Sequence, residues 1–420
     1  MKLKRSGTKI KRYGNYLHPN RGLRRVLTAI CALAGVAALA FIGWVVYPPV
    51  RDFLLTDRSE ITAESHSEES KTSPAASAPE VSTSLAAESE SASVSSEPSG
   101  TSGASAEESS VTAADIGTLK GVYMPGNVAA NSSKMNTLLT SASAAGQNTV
   151  LVEAKDSSGV VFFTTENEIA ADAGAVSASA YSAERIVKAI TDAGMHPAAH
   201  VYAFRDPLVS AKNRDLAVHY GDSDMRWLDN AAESGGQSWL NPCDADAQEY
   251  IISLCVELTK AGFEEIMLDG VQFPSGYGTD KAGYGVSSFS RSEVLKSFVT
   301  ALTKRVEAAG GSVTVCISAE NIGEGKDEKT LASIDSKNRS LFGGDPEELV
   351  QGSGMIMLGT SSDRSAVKLF IENNSANTDW SVCVPAYGLD GAALSLADSL
   401  ATFGTDSGYV LYNPTGSYKY

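Results

Sequence analysis

The sequence predicts a closed (β/α)8, TIM-like barrel, preceded by one transmembrane helix and a disordered linker. Three observations predict it. From about residue 116 onward, eight short apolar segments alternate with helical patterns, the order that builds a parallel sheet with helical crossovers. Residues 26–47 carry no charge over 22 positions, enough for a helix to span a bilayer, which takes ~20. Residues 57–114 are dominated by Ser, Ala, Glu and Thr, with too few large apolar side chains to bury a core.

The elements follow in order. Residues 1–25 hold nine Lys/Arg and no Asp or Glu, and a basic flank stays in the cytoplasm. Residues 26–47 end in Trp44, Tyr47, Pro48 and Pro49, an interfacial aromatic pair and a helix stop. The run is long for a cleaved signal peptide, the alternative reading. An uncleaved signal anchor is therefore expected, with the linker 48–115 and the barrel 116–420 outside the cell, single-pass at the cell membrane.

The net charge of −16 hides this division, because beyond residue 25 the chain has 25 Lys/Arg against 50 Asp/Glu. Such an acidic exterior argues against nucleic acid as a partner. Of five cysteines, Cys31 falls in the span and Cys243, Cys255, Cys316 and Cys383 are scattered singly. They read as small buried hydrophobes, with a disulfide left open outside the cell.

The strand signals are 120–124, 149–155, 197–204, 265–269, 312–318, 354–358, 381–385 and 408–412. Each is short and mostly apolar. The clearest helices are 181–194, 244–262, 290–310 and 391–403, three of which end in a glycine, as a C-cap does. Asn241-Pro-Cys-Asp244 marks a helix start. Eight residues follow the last strand signal, so no eighth helix is expected. An open doubly wound sheet is the alternative.

Side chains alternate across a strand. Val150, Val152 and Ala154 then face the helices, and Leu151, Glu153 and Lys155 face inward. Likewise Thr314, Cys316, Ser318 and Glu320 share the inner face of strand five, Cys383, Pro385 and Tyr387 that of strand seven, and Asp269 that of Met267. In strand three, His200 and Tyr202 are compatible with either face. Active sites of such barrels lie at the C-terminal ends of the strands. The expected mouth gathers Tyr123, Glu153, Lys155, Asp156, Arg205, Asp206, Asp269, Gln272, Glu320, Tyr387, Tyr412 and Asn413.

Burying an unpaired carboxylate is expensive, so Asp269 at the end of an apolar strand asks for a role. Two carboxyls flanking a bond, one protonated and one ionised, are the apparatus of glycoside hydrolysis. Asp269 as nucleophile or base and Glu320 as acid are the expected pair. Trp227, Trp239, Tyr387 and Tyr412 offer flat faces to sugar rings. No phosphate loop, dinucleotide fingerprint or Gly-x-Ser-x-Gly is present, and His196 and His200 have no carboxylate or Cys at ligand spacing. No cofactor or metal is therefore expected.

Four segments, Leu119–Tyr123, Val152-Glu-Ala-Lys-Asp-Ser-Ser-Gly159, Ala199–Pro207 and Gly262–Pro274, resemble a bacterial family of glycoside-hydrolase-like proteins, long catalogued as a domain of unknown function. Trp239–Pro242 and Leu411–Asn413 support the likeness, which covers about 116–415. The resemblance implies an α-amylase-related barrel in which the strand-four acid is Asp269. The chain departs from the family pattern at Gly270, at Gln272 and over Met357–Thr360, and its strand-five acid is Glu320 rather than a residue near Ser318. A polysaccharide substrate of the cell wall or an exopolysaccharide is expected. A non-catalytic carbohydrate-binding or scaffolding barrel is the alternative.

Overall fold

The computed structural model describes residues 118–387, 392–401 and 408–420. The predicted tail, anchor and linker (1–25, 26–47 and 48–115) lie outside the described residues. Among the described residues, no helix is long and apolar enough to cross a membrane.

Eight parallel strands close into a barrel: β1 Leu119–Met124, β2 Thr149–Lys155, β3 His196–Tyr202, β4 Glu265–Asp269, β5 Ser312–Ser318, β6 Ser353–Met357, β7 Asp379–Pro385 and β8 Gly408–Tyr412. They are ordered by sequence, and β8 pairs with β1 to complete the circle, Leu119 opposite Gly408 and Val122 opposite Leu411. Every predicted strand is present, with its bounds within two residues. The closed circle excludes the open doubly wound sheet.

A long crossover helix follows each of the first seven strands, preceded in the first three by a shorter one: α1 Ser132–Ala144, α2 Ala183–Asp192, α3 Ala245–Lys260, α4 Arg291–Ala308, α5 Glu328–Leu341, α6 Arg364–Asn374 and α7 Ala392–Ala401. Local chemistry sets their ends. The Asp244 side chain accepts from the Ala247 amide at 2.8 Å and starts α3, and Ser290 caps α4 in the same way. Gly194, Gly262 and Gly310, just past α2, α3 and α4, have φ of 76°, 105° and 96°. Such left-handed values stop a helix and favour glycine.

Two apolar cores result. Between barrel and helices lies the larger, with Val150, Val152, Val313, Val315, Ile317, Val382 and Val384 on the outer strand faces. Inside the barrel, Leu119, Tyr123, Leu151, Ala198, Met267, Cys316, Met355, Cys383 and Val410 form the smaller. The alternation expected for β2, β4, β5 and β7 is thus observed, in β2 as far as Glu153. Ala198 lies inside and Ala199 and Val201 outside, which turns His200 and Tyr202 inward.

Excursions after β2, β3 and β4 build up one side of the rim. A short strand, Val161–Phe163, runs back along β2, with Val161 opposite Lys155. His219–Tyr220 from the β3 excursion pairs with Ala282–Gly283 from the β4 excursion. Trp227 Nε1 donates to Gly278 O at 2.9 Å across the same junction.

Candidate active site

Asp269 ends β4 with its side chain 23% exposed, and one of its oxygens, Oδ2, lies 3.2 Å from His200 Nε2 on β3. The other, Oδ1, accepts from the Gly270 amide at 2.6 Å. Gly270 has φ 66°, and a Cβ there would sit 2.2 Å from the Tyr202 ring. The chain can therefore leave β4 beneath Tyr202 only as glycine.

Glu153 sits opposite His200 in the β2–β3 register. Its Oε2 accepts from the Gly126 amide at 2.8 Å and its backbone oxygen from the Tyr181 hydroxyl at 3.0 Å. Tyrosines fill the space between the two acids. The Tyr123 ring lies 5.8 Å from His200 and 4.7 Å from Tyr412, and Tyr387 lies 5.9 Å from Tyr412. Burial first, then the Glu153 charge, pushes the Tyr123 hydroxyl well above its ordinary range. Tyr412 is raised by burial and by both Glu153 and Asp269. Tyr202 is raised by burial and Asp269, against an opposing pull from Arg205. These phenols stay protonated and serve as hydrogen-bond donors. Beneath Asp269, burial and then the Asp269 charge push the Cys383 thiol far up, and Cys316 likewise. Neither is poised as a thiolate nucleophile.

Of the residues expected at the mouth, Tyr123, Glu153, Asp269, Tyr387 and Tyr412 are brought together. Arg205 stands at the rim, its Nη1 donating to Ser157 O at 3.3 Å and its Nε 4.0 Å from Asp229 Oδ2. Gln272 is half-buried just beyond the Gly270 turn. Asp156 organises the next turn by accepting from the Ser158 and Val160 amides, both at 2.9 Å. Asn413 folds the segment after β8, accepting from the Thr415 amide at 2.9 Å.

Four expectations are corrected. The register of β2 against β3 shifts by one residue between Glu153 and Lys155, a β-bulge at Ala154 that sets Lys155 opposite the outward Val201. Lys155 is therefore turned out of the mouth and fully buried, 3.1 Å from Asp206 Oδ2 and 2.9 Å from Tyr202 O. Asp206 is equally buried and caps the helix Pro207–Lys212 through the Val209 amide at 2.9 Å. Gly159, with φ 85°, lets the turn before the Val161–Phe163 strand seat on this pair, since a Cβ there would lie 2.3 Å from Asp206 Oδ1. Trp239 is 2% and Trp227 1% exposed, so neither offers a face to a sugar. Trp239 instead donates to Asp229 Oδ2 at 3.2 Å.

Glu320 is the fourth correction. Strand alternation ends at Ser318, where the backbone turns into the 3-10 helix Ala319–Asn321. Glu320 is consequently 80% exposed, with its carboxylate 3.7 Å from Lys337 on α5. It takes no place beside Asp269. The residues missed were His200 and Tyr202. Ala198 and Ala199 gave no apolar contrast between faces, and the register with Leu151 and Glu153 would have resolved it.

The arrangement offers two carboxyls on one wall, a histidine holding one of them, and protonated phenols between them. A family model described as putative glycosyl hydrolase domain matches residues 121–334, 214 of the 420 residues. The chain belongs to this family. No curated protein sequence matches significantly. Among solved structures, a hypothetical protein from Ruminiclostridium thermocellum is 22% identical with TM-score 0.41, over 46% of this chain and 96% of that one. An uncharacterized protein from Listeria monocytogenes is 11% identical with TM-score 0.45, over 70% and 28%. The α-galactosidase from Lactobacillus brevis is 15% identical with TM-score 0.44, over 70% and 38%. The chain thus spans less than two thirds of the last two. Among the described residues, no three His, Cys, Asp or Glu side chains converge on a metal position.

Proposed function

We propose that this family member is a glycoside hydrolase anchored by residues 26–47 and acting outside the cell on a polysaccharide of the wall or an exopolysaccharide. The observation that carries this reading is the His200–Asp269 contact, with Glu153 opposite His200 on the same inner face. Asp269 is the nucleophile or base. Its Gly270 and His200 partners hold it toward the mouth. Glu153 replaces Glu320 as the proton donor to the leaving oxygen. Tyr202 and Tyr412 place hydroxyl donors around the sugar, Tyr123, 3% exposed, lies beneath them beside Glu153, and Tyr387, 43% exposed, offers a flat face. The uncharged run behind a basic flank supports the anchor, and the acidic remainder suits an exterior domain.

A non-catalytic carbohydrate-binding barrel has one observation in its favour: the acid that should end β5 is turned out toward Lys337. One experiment separates the two readings. The protein is incubated with cell-wall and capsular glycans and new reducing ends are followed, with Asp269→Asn in parallel. Release that disappears in the variant supports the hydrolase. Equal glycan binding by both proteins without release supports the binding barrel.

A further inference from the structure

Arg205 stands at the rim of the mouth without a matched acid. Its sequence neighbour Asp206 is taken by Lys155, at 3.1 Å and with both side chains fully buried. Asp156 is occupied in accepting the Ser158 and Val160 amides. Asp229 approaches, but its Oδ2 is 4.0 Å from the Arg205 Nε, and both of its oxygens already serve others. Oδ1 accepts from the Gln237 amide at 2.7 Å and Oδ2 from Trp239 Nε1 at 3.2 Å. Asp229 thus shapes its own loop first and meets Arg205 second.

A guanidinium presents a fork of N–H donors that matches a carboxylate or a phosphate. Among the described residues one of those donors is used, in a long bond of 3.3 Å from Nη1 to Ser157 O. Nothing among them engages Nη2, and the side chain is 35% exposed.

Tyr202 ties this cation to the acid of the mouth. It lies opposite Asp269 in the β3–β4 register, with its ring over Gly270. Burial raises its hydroxyl most, Asp269 raises it further, and Arg205 pulls it down. The phenol is therefore within reach of both charges. It is half-buried, and its hydroxyl has no hydrogen-bond partner among the described residues. Two partly exposed donors, one of them charged, thus stand beside Asp269 with no acceptor of the protein's own.

The group that satisfies such donors is rich in acceptors and negative. A neutral sugar hydroxyl would leave the guanidinium charge uncompensated, and a metal cation would be repelled by it. Beyond residue 25 the chain has 25 Lys/Arg against 50 Asp/Glu, so the field of the whole domain does not draw an anion to the mouth. An anion held there needs a local cation. We propose that Arg205, with the Tyr202 hydroxyl beside it, makes the mouth specific for an acidic glycan by binding a carboxylate or phosphate on the sugar held at Asp269 or on its neighbour. The inference rests on the reading of the mouth as a carbohydrate site and names the substrate class within it. Arg205 selects and orients; it is not assigned a part in bond cleavage.

Isothermal titration of the full chain tests this. The probes are the methyl glycosides of glucuronic, galacturonic and mannuronic acid, their carboxyl methyl esters, and the corresponding hexose 6-phosphates with the free hexoses. At least one acid or phosphate should bind about tenfold or more tighter than its neutral counterpart, the worth of a hydrogen bond to a charged group. Preference for a uronate identifies a carboxylate glycan as the source, and preference for a hexose phosphate a phosphorylated one. The contrast between acid and ester is read on the unmodified chain, so it stands even if a variant folds poorly. Arg205→Gln should abolish that contrast and leave the esters bound as before, and Arg205→Lys should keep part of it. A residue that merely braced Ser157 would weaken acid and ester alike. Failure of every acid and phosphate to bind, esters that bind as tightly as acids, a contrast that survives Arg205→Gln, or equal weakening of acid and ester would each overturn the proposal. Binding is read here without turnover. Absence of glycan release would therefore sink the hydrolase reading and leave this inference standing, whereas release from neutral glycans with no contrast between acid and ester would do the reverse.

Discussion

His200 Nε2 lies 3.2 Å from Asp269 Oδ2, a contact that joins the adjacent barrel strands β3 and β4. The ring is almost wholly buried, and its Nδ1 has no partner among the described residues. The histidine therefore spends its one observed polar contact on orienting the acid. Replacing it by Gln should lower kcat by about tenfold to hundredfold, the worth of a hydrogen bond to a charged group. Steady-state kinetics on a released-sugar assay, with KM little changed, is the check.

Asp269→Asn should lower glycan hydrolysis by about 10²–10⁴, the range of a lost acid–base group. Its melting temperature should stay close to the parent's, because the amide keeps the size of the carboxylate. A variant with full activity would remove Asp269 from the chemistry.

Glu320→Gln should leave hydrolysis within about twofold and stability within about 0.5 kcal/mol, as for other exposed changes. Its contact with Lys337 is long and solvated, and such pairs contribute little. A collapse in rate would return Glu320 to the role of acid.

Lys155→Met should cost about 3–5 kcal/mol, since it strands the fully buried Asp206 charge. Adding Asp206→Asn should recover part of the loss, because the amide still caps the Val209 amide. Denaturant melts of both variants give the comparison. Equal stability of the single variant and the parent would contradict the pairing.

Glu265, half-buried at the floor of the barrel, has its carboxyl raised by burial, against a hydrogen bond from Thr314 that lowers it. A raised acid stabilises the fold fully below its unfolded value and loses that stability as the pH rises through its folded value. Glu265→Gln should therefore melt above the parent at neutral pH and together with it near pH 4. A constant difference across the series would exclude the titration.

Much of this architecture was legible because each strand is short and bracketed by helix ends. Leu151, Cys316 and Cys383 declared the inner face through their outward valine neighbours, and Asp269 followed from Met267. Three features escaped for local reasons. The bulge at Ala154 breaks period-two reading without any marker such as glycine. Glu320 lies just past the last extended residue, where alternation has no meaning. Trp239 looks the same in sequence whether it stacks on a ligand or staples an insertion, and only its burial tells them apart.

The bulge at Ala154 also separates two residues that the sequence sets almost side by side. Glu153 answers to Tyr123, Gly126 and the mouth, and Lys155 to Asp206, Tyr202 and the layer beneath α3. Among the described residues the two side chains share no hydrogen-bond or ion-pair partner. The inner face of β2 can thereby change at Glu153 without retuning the buried ion pair one layer away, and a lineage or an engineer can alter the chemistry of the mouth there while its scaffold stays as it was.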